Sequence, residues 1–209
     1  MITVHHLNNS RSQRVLWILE ELEIDYQIKH YTRDPQTSRA PIELKTIHPL
    51  GKSPVITDGD KTIAETGTIV EYLLRTYGKG RLVPDTDTDA YDDYEHFMHF
   101  AEGSAMLPLL LALYTGYLGD AAQPIQPMIM SEIKAIFDYV EYHLIRSEYF
   151  AGDELSGADI MMIFPLEAAN ARGRLKGYEA CQDYVAKIHK RAAYQAALEK
   201  GGDYAYGPG

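Results

Sequence analysis

The sequence predicts a chain of two unlike parts: an α/β part with a mixed four-stranded sheet over residues 1–78, and an all-α part over residues 89–209, joined by a linker at 79–88. Period-two apolar alternation, which marks half-buried strands, belongs to the first part, and apolar spacing of three and four takes over in the second. The charge changes at the same place. Residues 1–80 hold ten Lys and Arg against ten Asp and Glu, whereas residues 81–209 hold ten against twenty and so carry the whole net charge of −10. Gly78-Lys79-Gly80 and Pro84 break the helical pattern at that step.

In the first part, Ile2–Leu7 alternates as a strand and runs into Asn8-Asn9-Ser10-Arg11-Ser12. These polar residues can cap a helix whose apolar positions are Val15, Leu16, Ile18, Leu19 and Leu22. Tyr26–Tyr31 alternates again and completes a strand-helix-strand unit. A loop containing Pro and Ser leads to a short helix near residues 42–47. Val55-Ile56-Thr57 is a β-branched run, and Asp58-Gly59-Asp60 reads as a hairpin turn into Lys61–Ala64. Glu65 and Thr66 then precede Ile69, Val70, Leu73, Leu74 and Tyr77 at helical spacing, which puts Thr66 at the helix N-cap. The resulting βαβ-α-ββα order is thioredoxin-like.

One stretch of this part outlines a ligand. Pro54 stands at the mouth of a strand, where a cis bond is tolerated and would turn the Ser53 backbone outward to pair with an extended peptide. Exposed N–H groups at the start of the following helix suit a carboxylate, and Glu65 alongside suits an ammonium group. Carboxylate and ammonium on adjacent atoms make an amino-acid terminus.

In the second part, Tyr91, Tyr94, Phe97 and Met98 continue toward Met106, Leu110 and Leu113 as one long helix that Pro108 should bend. Ile133, Ile136, Phe137, Val140 and Leu144 share a face of another, which begins near Met128. Ser156-Gly157-Ala158-Asp159 announces a third as a capping box with Asp in place of Glu, and Leu155 with Ile160 supplies a hydrophobic staple.

Four ordered motifs carry a resemblance over nearly the whole chain. They are Asn9-Ser10-Arg11-Ser12-Gln13-Arg14-Val15, Pro49-Leu50-Gly51-Lys52-Ser53-Pro54-Val55, Glu65-Thr66 and Leu155-Ser156-Gly157-Ala158-Asp159-Ile160. Together they resemble the soluble glutathione S-transferase family, in its serine-type bacterial-like form. The resemblance implies that glutathione is the co-substrate, with its cysteinyl backbone on Ser53 beside Pro54, its γ-glutamyl end on Glu65 and Thr66, and its glycyl end near Lys52. It also implies a hydroxyl near the thiol at the start of the first helix, for which Ser10 is the first choice. Alignment through Arg14-Val15 puts the family's active serine nearer Asn9, so Asn9, Ser10 and Ser12 all stand as catalytic candidates. By the same resemblance Glu102 reaches a γ-glutamyl ammonium across a homodimer interface. Ser104, Leu107, Leu111 and Tyr114 would shape the site of a small hydrophobic electrophile.

The chemistry needs few groups. A thiol near pKa 8.5 becomes a thiolate two units lower for about 2.7 kcal/mol. One hydrogen bond to the charged sulfur supplies about 1.5–3 kcal/mol and a helix N-terminus about 0.3–1 more, so a single donor at that helix suffices. The chain has one cysteine, Cys181, in a helical segment far from that loop, which disfavours thiol-transferase and disulfide-exchange chemistry. Eight histidines show no paired ligand spacing, His5-His6 and His96 with His99 read as surface residues of strand and helix, and no metal is expected. The acidic second half disfavours nucleic acid and anionic membranes. The longest apolar run, from Ala105 to Leu113, is too short to span a bilayer, and no signal-peptide pattern opens the chain, so a cytoplasmic protein is expected. The leading expectation is a transferase conjugating glutathione to hydrophobic electrophiles, with side activity on peroxides. A non-catalytic glutathione carrier and a transferase-shaped interaction module are the alternatives.

Overall fold

A computed structural model describes residues 1–208 and divides the chain into two compact units, Met1–Val83 with Ile188–Gly209, and Pro84–Lys187. In the first unit, β1 (Ile2–Leu7), β2 (Tyr26–Tyr31), β3 (Val55–Asp58) and β4 (Lys61–Ala64) form a sheet in the order β2-β1-β3-β4. β1 and β2 are parallel, joined through α1 (Ser12–Glu21), while β3 pairs antiparallel with both β1 and β4. The hairpin turn is the expected one, with Gly59 at φ 57°. α2 (Leu44–Ile47) sets Leu44 against Leu7 and Tyr31, and α3 (Thr66–Leu73) packs beside α1.

α1 is buried at every residue from Ser12 to Leu19. Val15, Leu16, Trp17, Ile18 and Leu19 are consecutive, so they point around the whole helix, and a sheet covers only one side of it. α9 (Ala192–Gly201) supplies the other cover and brings the end of the chain back to the first unit. The helical pattern of 89–209 suggests a single helical part, whereas residues from Ile188 onward group with the first unit. The junction is close: a Cβ on Gly201 would lie 2.7 Å from Gln13 Oε1 and 2.9 Å from Leu16 Cδ1. Tyr194 packs edge-on against Trp17 with ring centres 5.5 Å apart, and Arg191 grips Glu21 with Nε and Nη2 at 2.7 and 3.0 Å.

In the second unit, α4 (Asp89–Phe100) and α5 (Met106–Gly116) are continuous through one π-helical turn, Ala101–Ala105. The wide turn lies just before Pro108, which has no N–H for the ladder, so the expected bend takes the form of a π turn. Asp89–Gly116 is apolar and long enough to cross a bilayer. Its Tyr94, Phe97, Met98, Ala101, Ala105, Met106 and Leu109 are, however, buried as the core of a globular unit. α6 (Gln126–Leu144) and α7 (Gly157–Asn170), buried from Gly157 to Ala169, lie in the same unit. The capping box at α7 forms as expected, and the Asp159 carboxylate accepts from the N–H of Phe150 and Ser156 and from the hydroxyls of Ser156 and Tyr184 at 2.7–3.0 Å. Glu141 of α6 accepts from the Ala180 and Cys181 N–H groups at the start of α8 (Glu179–His189), both at 2.9 Å. Burial and that carboxylate push the Cys181 thiol far up, so it stays an inert core residue.

Candidate functional site

Five element ends meet at one edge of the first unit. β1 ends at Leu7, β3 starts at Val55 opposite His5, β4 ends at Ala64 opposite Val55, and α1 and α3 both begin there. Continuing the β3–β4 register by two residues would set Ser53 against Thr66, but by then β4 has given way to α3. The Ser53 N–H and C=O therefore lack a strand neighbour on that side, and no described backbone group bonds them. The Ser53–Pro54 peptide is cis, and the Ser53 hydroxyl donates to the His5 carbonyl at 2.8 Å, which ties the loop to β1. Lys52 is exposed next to Gly51, whose φ of +58° suits glycine and whose Cβ would fall 2.7 Å from Lys45 Cγ.

Glu65 adopts φ 69° and ψ 125°, a region that side chains rarely visit, and it is itself the residue preceding α3. Thr66 is the first helical residue, not the N-cap that the spacing suggested. The cause is Arg14, buried in α1, whose Nη2 donates to Thr66 Oγ1 at 3.2 Å and holds that side chain inward. No side chain caps α3, and the exposed Glu65 carboxylate stands at its open N-terminus. The arrangement offers an open strand edge, uncommitted helix N–H groups and a carboxylate within one short segment.

The β1–α1 loop is held from two distant places. Arg33 donates from Nε to the Asn8 carbonyl at 3.2 Å and from Nη2 to the Asn9 carbonyl at 3.0 Å. Its own N–H donates to Asn8 Oδ1 at 3.2 Å. Asn9, at φ 51°, accepts the Ala205 N–H on its side-chain oxygen at 2.7 Å, so the chain's last segment rests on the loop. Behind it, Ser10 and Ser12 are buried. The Ser10 and Ser12 hydroxyls are 2.8 Å apart, Ser12 Oγ is 2.9 Å from His6 Nδ1, and Ser10 Oγ accepts the Ser12 N–H at 3.2 Å. Contrary to the surface reading, His5 and His6 are both buried. Burial, then the charge of His30, lower His6 to about 4 against a partly offsetting bond to the Gly201 backbone. His5 is also lowered, first by burial, and its Nδ1 meets the Tyr31 hydroxyl at 2.9 Å.

The structure thus gathers Ser53, Pro54, Glu65 and Thr66 at one sheet end with the loop of Asn9, Ser10 and Ser12. Glu102 and Ser104 lie in the π turn of the second unit, and Leu107, Leu111 and Tyr114 are exposed on α5. Arg14, Arg33, His6 and Ala205 are supports that the sequence reading did not single out. Only Arg14 carried a local signal, a lone charge amid the buried face of α1.

The profile of the glutathione S-transferase N-terminal domain matches residues 1–75, and that of the C-terminal domain matches residues 95–187. Glutathione S-transferase 3 of Schizosaccharomyces pombe is 36% identical over 96% of this chain and 88% of its own length. Glutathione S-transferase 1 of Saccharomyces cerevisiae is 33% identical over 96% and 95%. A crystal structure of a glutathione S-transferase from Actinobacillus pleuropneumoniae superposes with a TM-score of 0.89 at 36% identity, covering 98% of this chain and 94% of that one.

Proposed function

Because this chain belongs to the glutathione S-transferase family, we propose that the sheet end of its first unit holds glutathione for transfer to a small hydrophobic electrophile. The observation that carries the reading is the open Ser53 backbone beside the uncapped start of α3. The cysteinyl residue of glutathione pairs with the Ser53 N–H and C=O next to Pro54. Its γ-glutamyl carboxylate takes the N–H groups at Thr66, its ammonium takes Glu65, and its glycyl carboxylate lies by Lys52. Main-chain pairing supplies grip, and the two charges supply specificity.

The thiol then lies at the β1–α1 loop, among Asn9, Ser10 and Ser12. Its proton leaves to solvent, the thiolate attacks the electrophilic carbon, the sulfur–carbon bond forms and the leaving group departs with the electron pair of the broken bond. The same thiolate supports side activity on peroxides. The exposed Leu107, Leu111 and Tyr114 of α5 support both a hydrophobic electrophile site and a homodimer in which Glu102 serves the neighbouring subunit. We place the protein in the cytoplasm, in keeping with a single buried free thiol and no disulfide.

Conjugation to an aryl halide, followed by thioether absorbance beside calorimetric titration with glutathione, tests the reading. Turnover that falls in step with glutathione binding in Glu65→Ala is expected. Tight glutathione binding without turnover would replace the transferase by a carrier.

A further inference from the structure

The hydrogen bonds around the β1–α1 loop separate the three candidates for the sulfur partner by which of them is already engaged. The His6 ring packs under the chain at Gly201, where an added Cβ would lie 3.5 Å from His6 Cε1. His6 Nδ1 lies 2.9 Å from Ser12 Oγ, which ties β1 to the start of α1. The Ser12 hydroxyl also meets the Leu7 carbonyl and the Leu7 N–H, both at 3.3 Å, and the Ser10 hydroxyl lies 2.8 Å from it, so both serines belong to a buried network. Ser10 Oγ also accepts the Ser12 N–H. Ser10 is thus buried with its hydroxyl engaged by Ser12, which commits it to the loop's internal network.

Asn9 has a polarity that the structure does fix. A backbone N–H can only donate, so the amide atom facing Ala205 N at 2.7 Å is Oδ1, and the NH₂ group is turned the other way. No described group accepts from that NH₂, while the Asn9 carbonyl is fixed by Arg33 and its backbone is set at φ 51°. We propose that Asn9 is the catalytic residue that donates to the glutathione sulfur, with the Ala205 backbone as its positioning group and the Ser10–Ser12–His6 chain as a structural brace. The assignment rests on the reading of the first unit as a glutathione site, and it makes the end of the chain part of the activating machinery.

Ultraviolet titration of the bound thiolate tests it, with calorimetry of glutathione binding run in parallel. Asn9→Gly keeps the positive φ and removes the amide. Loss of one hydrogen bond to a charged group should raise the thiolate pKa by about one to two units, with a loss of about tenfold to hundredfold in thiolate at a pH below it. Asn9→Asp should raise it further by adding like charge. Ala205→Pro removes the orienting N–H and should raise the pKa by less than Asn9→Gly, while glutathione still binds. Ser10→Ala should shift it least of the four. A larger rise in Ser10→Ala than in Asn9→Gly, or a thiolate pKa in Ala205→Pro equal to wild type, overturns the assignment. Absence of glutathione binding by the wild type would instead overturn the site reading beneath it.

Discussion

Glu65→Gly and Glu65→Ala should separate what the backbone of this residue costs from what its carboxylate does. At φ 69° and ψ 125° Glu65 sits where a side chain is disfavoured by about 1–3 kcal/mol, and its carboxylate makes no capping bond that would repay the cost within the protein. Glycine removes that penalty and adds about 0.5–1 kcal/mol of chain freedom to the unfolded state. The balance is a gain of about 0.5–2 kcal/mol for Glu65→Gly, or a rise of a few degrees in Tm for a chain of this size. Alanine keeps the penalty and should leave stability within about 0.5 kcal/mol of wild type. Both variants lose the proposed bond to the γ-glutamyl ammonium, so both should bind glutathione about tenfold to hundredfold more weakly. The assay is urea and thermal unfolding without glutathione, followed by fluorescence of Trp17, the chain's one tryptophan, which is buried in the unit that carries Glu65. Calorimetric titration with glutathione completes it. Equal stability of the glycine and alanine variants would refute the backbone argument, and wild-type affinity in either would remove Glu65 from the ligand set.

Three further outcomes follow from the geometry. Ser156→Ala should cost about 1 kcal/mol as a lost helix cap, and Asp159→Asn more, about 2–4 kcal/mol, because an NH₂ group would face donors in the four-bond cluster; urea midpoints compare them. His6 titrates near 4 in the folded chain, so the unfolded chain takes up its proton first as pH falls below about 6.5, and stability should drop by up to about 3 kcal/mol between there and pH 4; parallel losses in His6→Gln would refute this. Arg33→Ala frees the carbonyls of Asn8 and Asn9, so kcat should fall about tenfold while glutathione Kd moves by less than about threefold, and equal losses in both would show that the loop also holds the peptide.

Elements whose signal is local were legible in the sequence. The alternation of β1 and β2, the Asp58-Gly59 turn and the Ser156–Asp159 cap each depend on residues within a few positions of one another, so pattern and propensity determine them. Thr66 was shifted by one position because Arg14, fifty-two residues away, draws its hydroxyl inward, and no local rule contains that bond. Burial of His5 and His6 depends likewise on what covers β1, and His6 is covered by the chain's return at Gly201. The return had one trace in the sequence: five consecutive apolar residues on α1 are too many for a helix with one covered side.

The two halves of the proposed site differ in the range of the contacts that form them, and this makes their chemistry separable. Ser53, Glu65 and Thr66 are fixed by β3, β4 and α3 with ties to His5 and Arg14, all within residues 5–73, and present backbone groups that a glutathione-like peptide can use. Asn9 is aimed by Arg33 and by Ala205, the latter 196 residues away. On the proposed role of Asn9, changes at Ala205 should therefore alter how strongly sulfur is activated without altering how the peptide is gripped. The proposal thus expects affinity for glutathione and reactivity of its thiol to be set by different segments and to change independently.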